Sequence, residues 1–250
     1  MKPMTIRSVV RSDKGLVREI NEDSVGVLSE QGLVVLTDGM GGHCSGEVAS
    51  RLAVAAITRL ISSHPTASPA TAIKFANHTI LEKIREDAAL NGMATTAVVG
   101  RFHDGVVEYA HVGDSRLYLW RDSRLRKLTR DHSMIQELVD EGVYASLAEA
   151  RREGIRNNLL TRGVGIGDDL TVDSGSLTLH PGDRFLFCSD GLSNMLSDKL
   201  IGRLLATCSD SLESAADLLL GLALKRGGYD NISVALVEST EPEQAEGVDV

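Results

Sequence analysis

The chain has 250 residues, 26 of them basic and 35 acidic, a formal charge of −9, with 42% apolar and 24% charged residues. That length can bury about three quarters of the unfolded surface in one domain without covalent staples, and the composition is globular rather than disordered. The 4% aromatic content and the acidic balance exclude base-stacking platforms and duplex-binding surfaces, so no nucleic acid is expected as a ligand.

The opening residues, MKPMTIRSVV, lack the apolar stretch and cleavage site of a signal peptide. Asn21-Glu22-Asp23 stands directly before a predicted strand, Ser24–Leu28, which Ser-Glu-Gln-Gly joins to a second, Leu33–Leu36. That second strand leads into Asp38-Gly39-Met40-Gly41-Gly42. Apolar residues at 48, 49, 52, 53, 56, 57 and 60 predict a helix over Gly46–Ile61 with one buried stripe. Ser68-Pro69, a cap followed by proline, opens a second helix running to about Leu90. Ala97–Phe102 and Val106–His111 flank the turn His103-Asp104-Gly105 and lead into Gly113-Asp114-Ser115-Arg116. A third hairpin joins Leu117–Trp120 to Leu125–Leu128.

Residues 131–160 carry two short helical patterns, each opened by a capping box, Ser133-x-x-Gln136 and Ser146-x-x-Glu149. Their weak apolar pattern predicts a surface excursion. Thr171–Leu179 and Arg184–Cys188 flank Pro181-Gly182-Asp183, and the second leads into Asp190-Gly191. A last long helix, Leu212–Arg226, ends at Gly227-Gly228. Tyr229-Asp230-Asn231 then precedes a final strand, Ile232–Val237.

Strands joined by short turns imply antiparallel sheets, and the few long helices make the class α+β, with stacked sheets flanked by helices. Residues 1–237 read as one domain. Residues 238–250 hold five acids and no base and read as a disordered tail. The longest apolar run, Leu218–Leu224, falls far short of the ~18 residues of a membrane helix, so no membrane partner is expected. Three cysteines, Cys44, Cys188 and Cys208, with no CxxC pair fit a reducing, cytoplasmic setting.

The informative pattern is the repeated placement of acids at strand ends: Glu22 and Asp23, Asp38, Asp114, Asp190 and Asp230. Any one Asp-Gly pair after a strand is commonly just a turn. If the sheets stack, however, several of these ends can converge on one rim, where clustered carboxylates need cations to stay ionised. An all-oxygen donor set suits Mg²⁺ or Mn²⁺ rather than zinc.

These residues resemble a family. Arg18-Glu-Ile-Asn-Glu22-Asp23, Asp38-Gly-Met-Gly-Gly42-His43, Ala94-Thr95-Thr96, Val112-Gly-Asp114-Ser-Arg116, Leu128-Thr-Arg-Asp131-His-Ser133, Cys188-Ser-Asp190-Gly191 and Gly228-Tyr-Asp230-Asn231 occur in this order. They are similar to the ordered motifs of bacterial metal-dependent Ser/Thr protein phosphatases, the protein phosphatase 2C family, over residues 8–237. The resemblance implies a β-sandwich of two antiparallel sheets with helices on both outer faces, and a core site for two Mn²⁺ or Mg²⁺ ions with a weaker third. It implies that Asp38 bridges the two ions, that the Gly39 carbonyl binds one, and that Asp190 and Asp230 complete the set. Glu22 would act mostly through water, Asp114 would belong to the third site, and Arg18 would hold the substrate phosphate.

The implied reaction is hydrolysis of phosphoserine and phosphothreonine on proteins by metal-bound hydroxide, without a phosphoenzyme. The implied partners are a eukaryotic-type Ser/Thr kinase and its substrates, and relatives are usually monomeric. Met40 stands where eukaryotic members carry a histidine, leaving His43 or a water beside Asp114 to protonate the leaving group. Ala94 replaces the usual glycine before Thr-Thr, and Asn194 replaces a second aspartate of the third site, which weakens that site. Residues 131–162 fall where members carry a flap, and Arg162 is placed to help neutralise phosphate. His43-Cys44 is similar to the start of a His-Cys-x5-Arg phosphate loop, but six residues separate Cys44 from Arg51. Cys44 is therefore read as a turn residue rather than a nucleophile.

Overall fold

The computed structural model describes residues 5–41, 45–155, 159–208 and 210–240. The readings placed on His43, Cys44 and the part of the 238–250 tail beyond Thr240 lie outside these residues; residues 238–240, read as the start of that tail, instead continue the last strand, Ile232–Thr240.

Side-chain alternation along the strands builds three cores in a stack. One sheet holds β2 (Asp23–Leu28), β3 (Leu33–Met40), β5 (Ala97–His103), β6 (Val106–Val112) and β9 (Asp173–Thr178) in that order, with the two-residue β4 (Ala94–Thr95) paired to β3. The other runs β1 (Thr5–Asp13), β11 (Ile232–Thr240), β10 (Arg184–Cys188), β7 (Arg116–Arg121) and β8 (Arg124–Lys127). All ladders are antiparallel.

Along β3, Leu33 and Val35 face helices α1 (Ser45–Ser63) and α2 (Pro69–Glu86), whereas Val34 and Leu36 face the other sheet. Along β10, Phe185 and Phe187 point between the sheets. Leu186 and Cys188 point out against α6 (Asp198–Thr207) and α7 (Leu212–Lys225). Strands that alternate apolar with apolar are buried on both faces, which produces the four-layer helix–sheet–sheet–helix order. Between the sheets, Phe102 meets Phe185 edge-on at 5.1 Å. No helix among the described residues is long and apolar enough to cross a membrane.

The structure corrects the reading in several places. β1 and α6 were not anticipated. Helix α2 stops at Glu86, where Asp87 turns the chain into a 3-10 segment, Ala88–Leu90, and caps it through Ala89 N–H. In the 131–160 excursion, α3 (Met134–Asp140) and α4 (Leu147–Arg152) both form. The second serine caps its helix: Glu149 N–H donates to Ser146 Oγ, while the Glu149 carboxylate reaches one residue past the cap to accept from Ala145 N–H. The first does not, because Ser133 is drawn into an antiparallel bridge with Leu160 and its hydroxyl caps nothing.

Candidate metal centre

The acids that end separate strands meet in one cleft of about 190 Å³, lined by Arg18, Glu22, Asp38, Gly39, Met40, Gly41, Asp114, Leu160, Asp190, Asp230 and Asn231. Arg18, Glu22, Asp38, Gly39, Asp114, Asp190 and Asp230, all expected at the site, line it. Among the described residues that line it, Arg18 is the only cation.

Asp38 is delivered by the buried run of β3 and held by its main chain. Its N–H donates to Thr96 Oγ1 (2.9 Å), while its carbonyl accepts from Thr95 Oγ1 (2.9 Å) and Thr96 N–H (2.9 Å). Thr96 is fixed in turn by Ser115, Oγ1 to Oγ at 2.7 Å. These contacts orient Asp38 without using its carboxylate. At the next residue Gly39 donates to the Glu22 carbonyl (3.1 Å), and a Cβ there would run into the Gly46 and Glu22 carbonyls. Only glycine lets β3 approach the start of α1 this closely.

Glu22 sits at that helix start, where the Gly46 and Glu47 N–H groups face its carboxylate; burial nonetheless holds its proton affinity above the ordinary range. Asp190 opens the short helix α5 (Asp190–Ser193) after β10, and Asn194 donates to its Oδ2 at 3.0 Å. Asp230 precedes β11 and accepts from Arg18 (2.8 Å) and from Asn231 N–H (2.9 Å). Asn231 fastens the N-terminal loop to this point: its Nδ2 donates to the Lys14 and Ile20 carbonyls, and its Oδ1 accepts from Glu22 N–H. Asp114 follows Gly113, whose φ of +97° the β6–β7 turn requires.

Electrostatically the cleft is overloaded with negative charge. Burial, then Asp23, Asp190, Asp114 and Asp230, hold the Asp38 carboxyl well above the usual range. Burial and Asp190 do the same to Asp114. Asp190 is pushed up to about 6 by burial and Asp230.

Asp23 stands with Glu22 among the strand-end acids, but the family resemblance assigns it no role. Its importance comes from register: it pairs with Asp38 across β2 and β3. It is 7% exposed, accepts from Ser189 Oγ (2.8 Å) through Oδ2, and has no partner on Oδ1. Burial raises its carboxyl to about 7. An orphaned buried carboxylate oxygen among mutually repelling acids, with one half-exposed arginine for balance, is the environment a hard divalent cation relieves. The donor set fits Mn²⁺ or Mg²⁺.

Arg162 differs from expectation. It lies off the cleft and donates to Asp173 Oδ1 at 3.0 Å. The buried pair Arg116–Asp131, bonded from Nε at 3.0 Å and from Nη2 at 2.5 Å, flanks the Asp114 turn and neutralises itself.

Comparison with known proteins agrees with this geometry. The family model described as protein phosphatase 2C matches residues 17–219. The chain is 37% identical over 239 residues to the serine/threonine protein phosphatase PstP of Mycobacterium tuberculosis, covering 94% of this chain but 45% of PstP, so it spans about half that protein's length. It is 37% identical over 243 residues to the serine/threonine phosphatase stp of Listeria monocytogenes, covering 91% of this chain and 94% of stp. The crystal structure of the PstP catalytic domain in complex with two manganese ions superposes with a TM-score of 0.85 at 36% identity, covering 96% of this chain and all of that one.

Proposed function

The chain belongs to the protein phosphatase 2C family, and from that premise we propose that it hydrolyses phosphoserine and phosphothreonine on proteins with Mn²⁺ or Mg²⁺ bound among Asp38, Asp190 and Asp230. The observation that carries the reading is the convergence of these carboxylates, from three separate strand ends of two sheets, beside a single arginine. Asp38 would bridge two ions, the Gly39 carbonyl and Asp230 would complete their ligands, and Glu22 would act through water. Asp114 would serve a third, weaker ion.

When bound, the ions lower the pKa of a water and polarise the phosphoryl oxygens. The chain's own part is positioning. Arg18 offers a planar fork to the non-bridging phosphate oxygens, held at the cleft mouth by Asp230. Asn231 and the Thr95-Thr96 clamp keep Glu22 and Asp38 from drifting as charge develops. Met40 lines the cleft with no proton to give, so the leaving serine or threonine oxygen takes its proton from His43 or from solvent on the Asp114 side. A Ser/Thr kinase and its substrates are the phosphoproteins in this proposal.

The test is hydrolysis of p-nitrophenyl phosphate and a phosphothreonine peptide with Mn²⁺, with Mg²⁺ and with EDTA, beside Asp38→Asn. Activity that needs the divalent ion and disappears in the variant is expected. Activity that survives both EDTA and the substitution overturns the reading.

A further inference from the structure

Outside the acids of the cleft, one buried polar cluster has no role so far: His111 at the end of β6, His132 after Asp131, and Asp173 on β9. Three ligand atoms there lie within 4.8 Å of one another, but the cluster is unsuited to a metal. The two imidazoles stack with centroids 4.8 Å apart and planes 15° from parallel. In-plane lone pairs of parallel rings cannot meet at one ion, and the Arg162 guanidinium already faces Asp173. The hydrogen bonds point elsewhere.

We infer that His132 is a positioning residue that ties the Asp114 turn to both ends of the 131–162 segment. The inference rests on the phosphatase reading of the cleft only for what Asp114 does there. Gly113 N–H donates to His132 Nδ1 at 3.2 Å, and His132 N–H donates back to the Gly113 carbonyl at 3.0 Å. This two-bond pairing holds the residue that precedes Asp114. On the ring's other edge, Nε2 lies 3.3 Å from Asp173 Oδ2 and 3.4 Å from Arg162 Nη1, which itself pairs with Asp173. Only the neutral tautomer with its proton on Nε2 satisfies both edges at once.

The main chain of His132 grips the far end of the excursion. Its carbonyl accepts from Thr161 N–H (3.0 Å), the adjacent Ser133 bridges Leu160, and Met134 N–H donates to Leu159 (2.9 Å). Leu160 lines the same cleft as Asp114. His111 stacks on one face of the ring and is itself held by a bond through Nε2 to the Arg130 carbonyl at 2.8 Å. The His132 side chain is 0% exposed. Burial first, then the facing His111 and Arg162, hold its pKa down to about 4 against the opposing pull of Asp173, which keeps Nδ1 free to accept. The Asp114 carboxylate and the wall that includes Leu160 are thereby referenced to one imidazole.

The test compares His132→Asn, whose Oδ1 can take the place of Nδ1, with His132→Leu, which offers nothing to either edge. Asp173→Asn, on a partly exposed strand residue, is the second route should the leucine variant fail to fold. In metal-free protein, long-range ¹⁵N correlation is expected to show His132 neutral and protonated on Nε2, a population that Asp173→Asn lowers. Hydrogen exchange is expected to show the Gly113 amide protected in wild type and His132→Asn, and unprotected in His132→Leu. Mn²⁺ paramagnetic titration is expected to show only the weakest binding step loosened, by about tenfold or more, in His132→Leu, and within about threefold of wild type in His132→Asn. Equal Gly113 protection in all folded variants, a proton on Nδ1, or uniform weakening of every Mn²⁺ step overturns the inference. If wild type binds no Mn²⁺ while Gly113 protection still follows residue 132, the clamp stands and the phosphatase reading falls.

Discussion

Asp190→Asn is expected to stabilise the metal-free protein while removing the benefit of metal. Burial and Asp230 push the Asp190 carboxyl up to about 6 from its ordinary 3.8. Below about pH 4 this carboxyl is protonated in both folded and unfolded chains and costs nothing. Between about pH 4 and 6 the unfolded chain ionises first, so stability falls as pH rises. Above that window both forms are ionised and the fold bears the whole cost of the buried charge. Two decades of proton affinity at about 1.4 kcal/mol each make that cost about 3 kcal/mol. Asparagine keeps an oxygen for the 3.0 Å bond from Asn194, so the neutral side chain leaves no donor stranded. In EDTA near pH 7.5 the variant should therefore melt higher by up to roughly 6–12 °C, and near pH 4 by nothing. With Mn²⁺ the order reverses, because wild type gains by mass action and the variant loses a ligand. Scanning calorimetry at several pH values, with EDTA and then with Mn²⁺, reads all of this. A variant that melts at or below wild type near pH 7.5 in EDTA, or gains equally near pH 4, refutes the reasoning.

Two further outcomes follow from contacts described above. Asp131→Ala leaves the Arg116 guanidinium, 8% exposed, with a longer 3.7 Å contact to the exposed Asp198 in place of its bidentate carboxylate and should cost about 3–5 kcal/mol in urea unfolding, most of it recovered in the double variant Arg116→Met/Asp131→Leu. No recovery would show that the pair holds the fold by more than its charge. Arg18→Lys replaces a fork with a point charge on a half-exposed residue; it should leave the melting temperature unchanged and raise the KM for a phosphothreonine peptide by about tenfold. An unchanged KM would remove Arg18 from phosphate binding.

The sandwich was legible because β3, β10 and β11 are apolar on both faces, and each carries its acid at or beside an end that turn residues mark. β1 was not, since Arg7, Ser8 and Arg11 interrupt Ile6, Val9 and Val10, and its only sheet partner is the distant β11. The interior Gly202 hid α6, which packs against Trp120 and Leu125. Tertiary pairing also overrode local signals. Ser133 gave up a helix cap for a bridge to Leu160, and Arg162 pairs with Asp173 away from the lining of the acid cleft. Asp38, Asp190 and Asp230 could be proposed from their positions in sequence. Asp23 shared that position but carried no role, because what ties it to the cluster is a strand register that brings it opposite Asp38.

The pairing of the first described strand with the last has a consequence for synthesis. β11 lies between β1 and β10, with Thr5 opposite Thr240. As the chain leaves the ribosome, β1 must wait for almost everything else to be made, while the β2–β3–β5–β6 sheet can already assemble from neighbours close in sequence. Until β11 arrives, β1 and β10 each present an open edge, and Asp230 is missing from the cleft. A chain halted before Asp230 would thus lack an interior strand of one sheet and a carboxylate of the acid cluster together, which makes synthesis through β11 a precondition for assembling the centre.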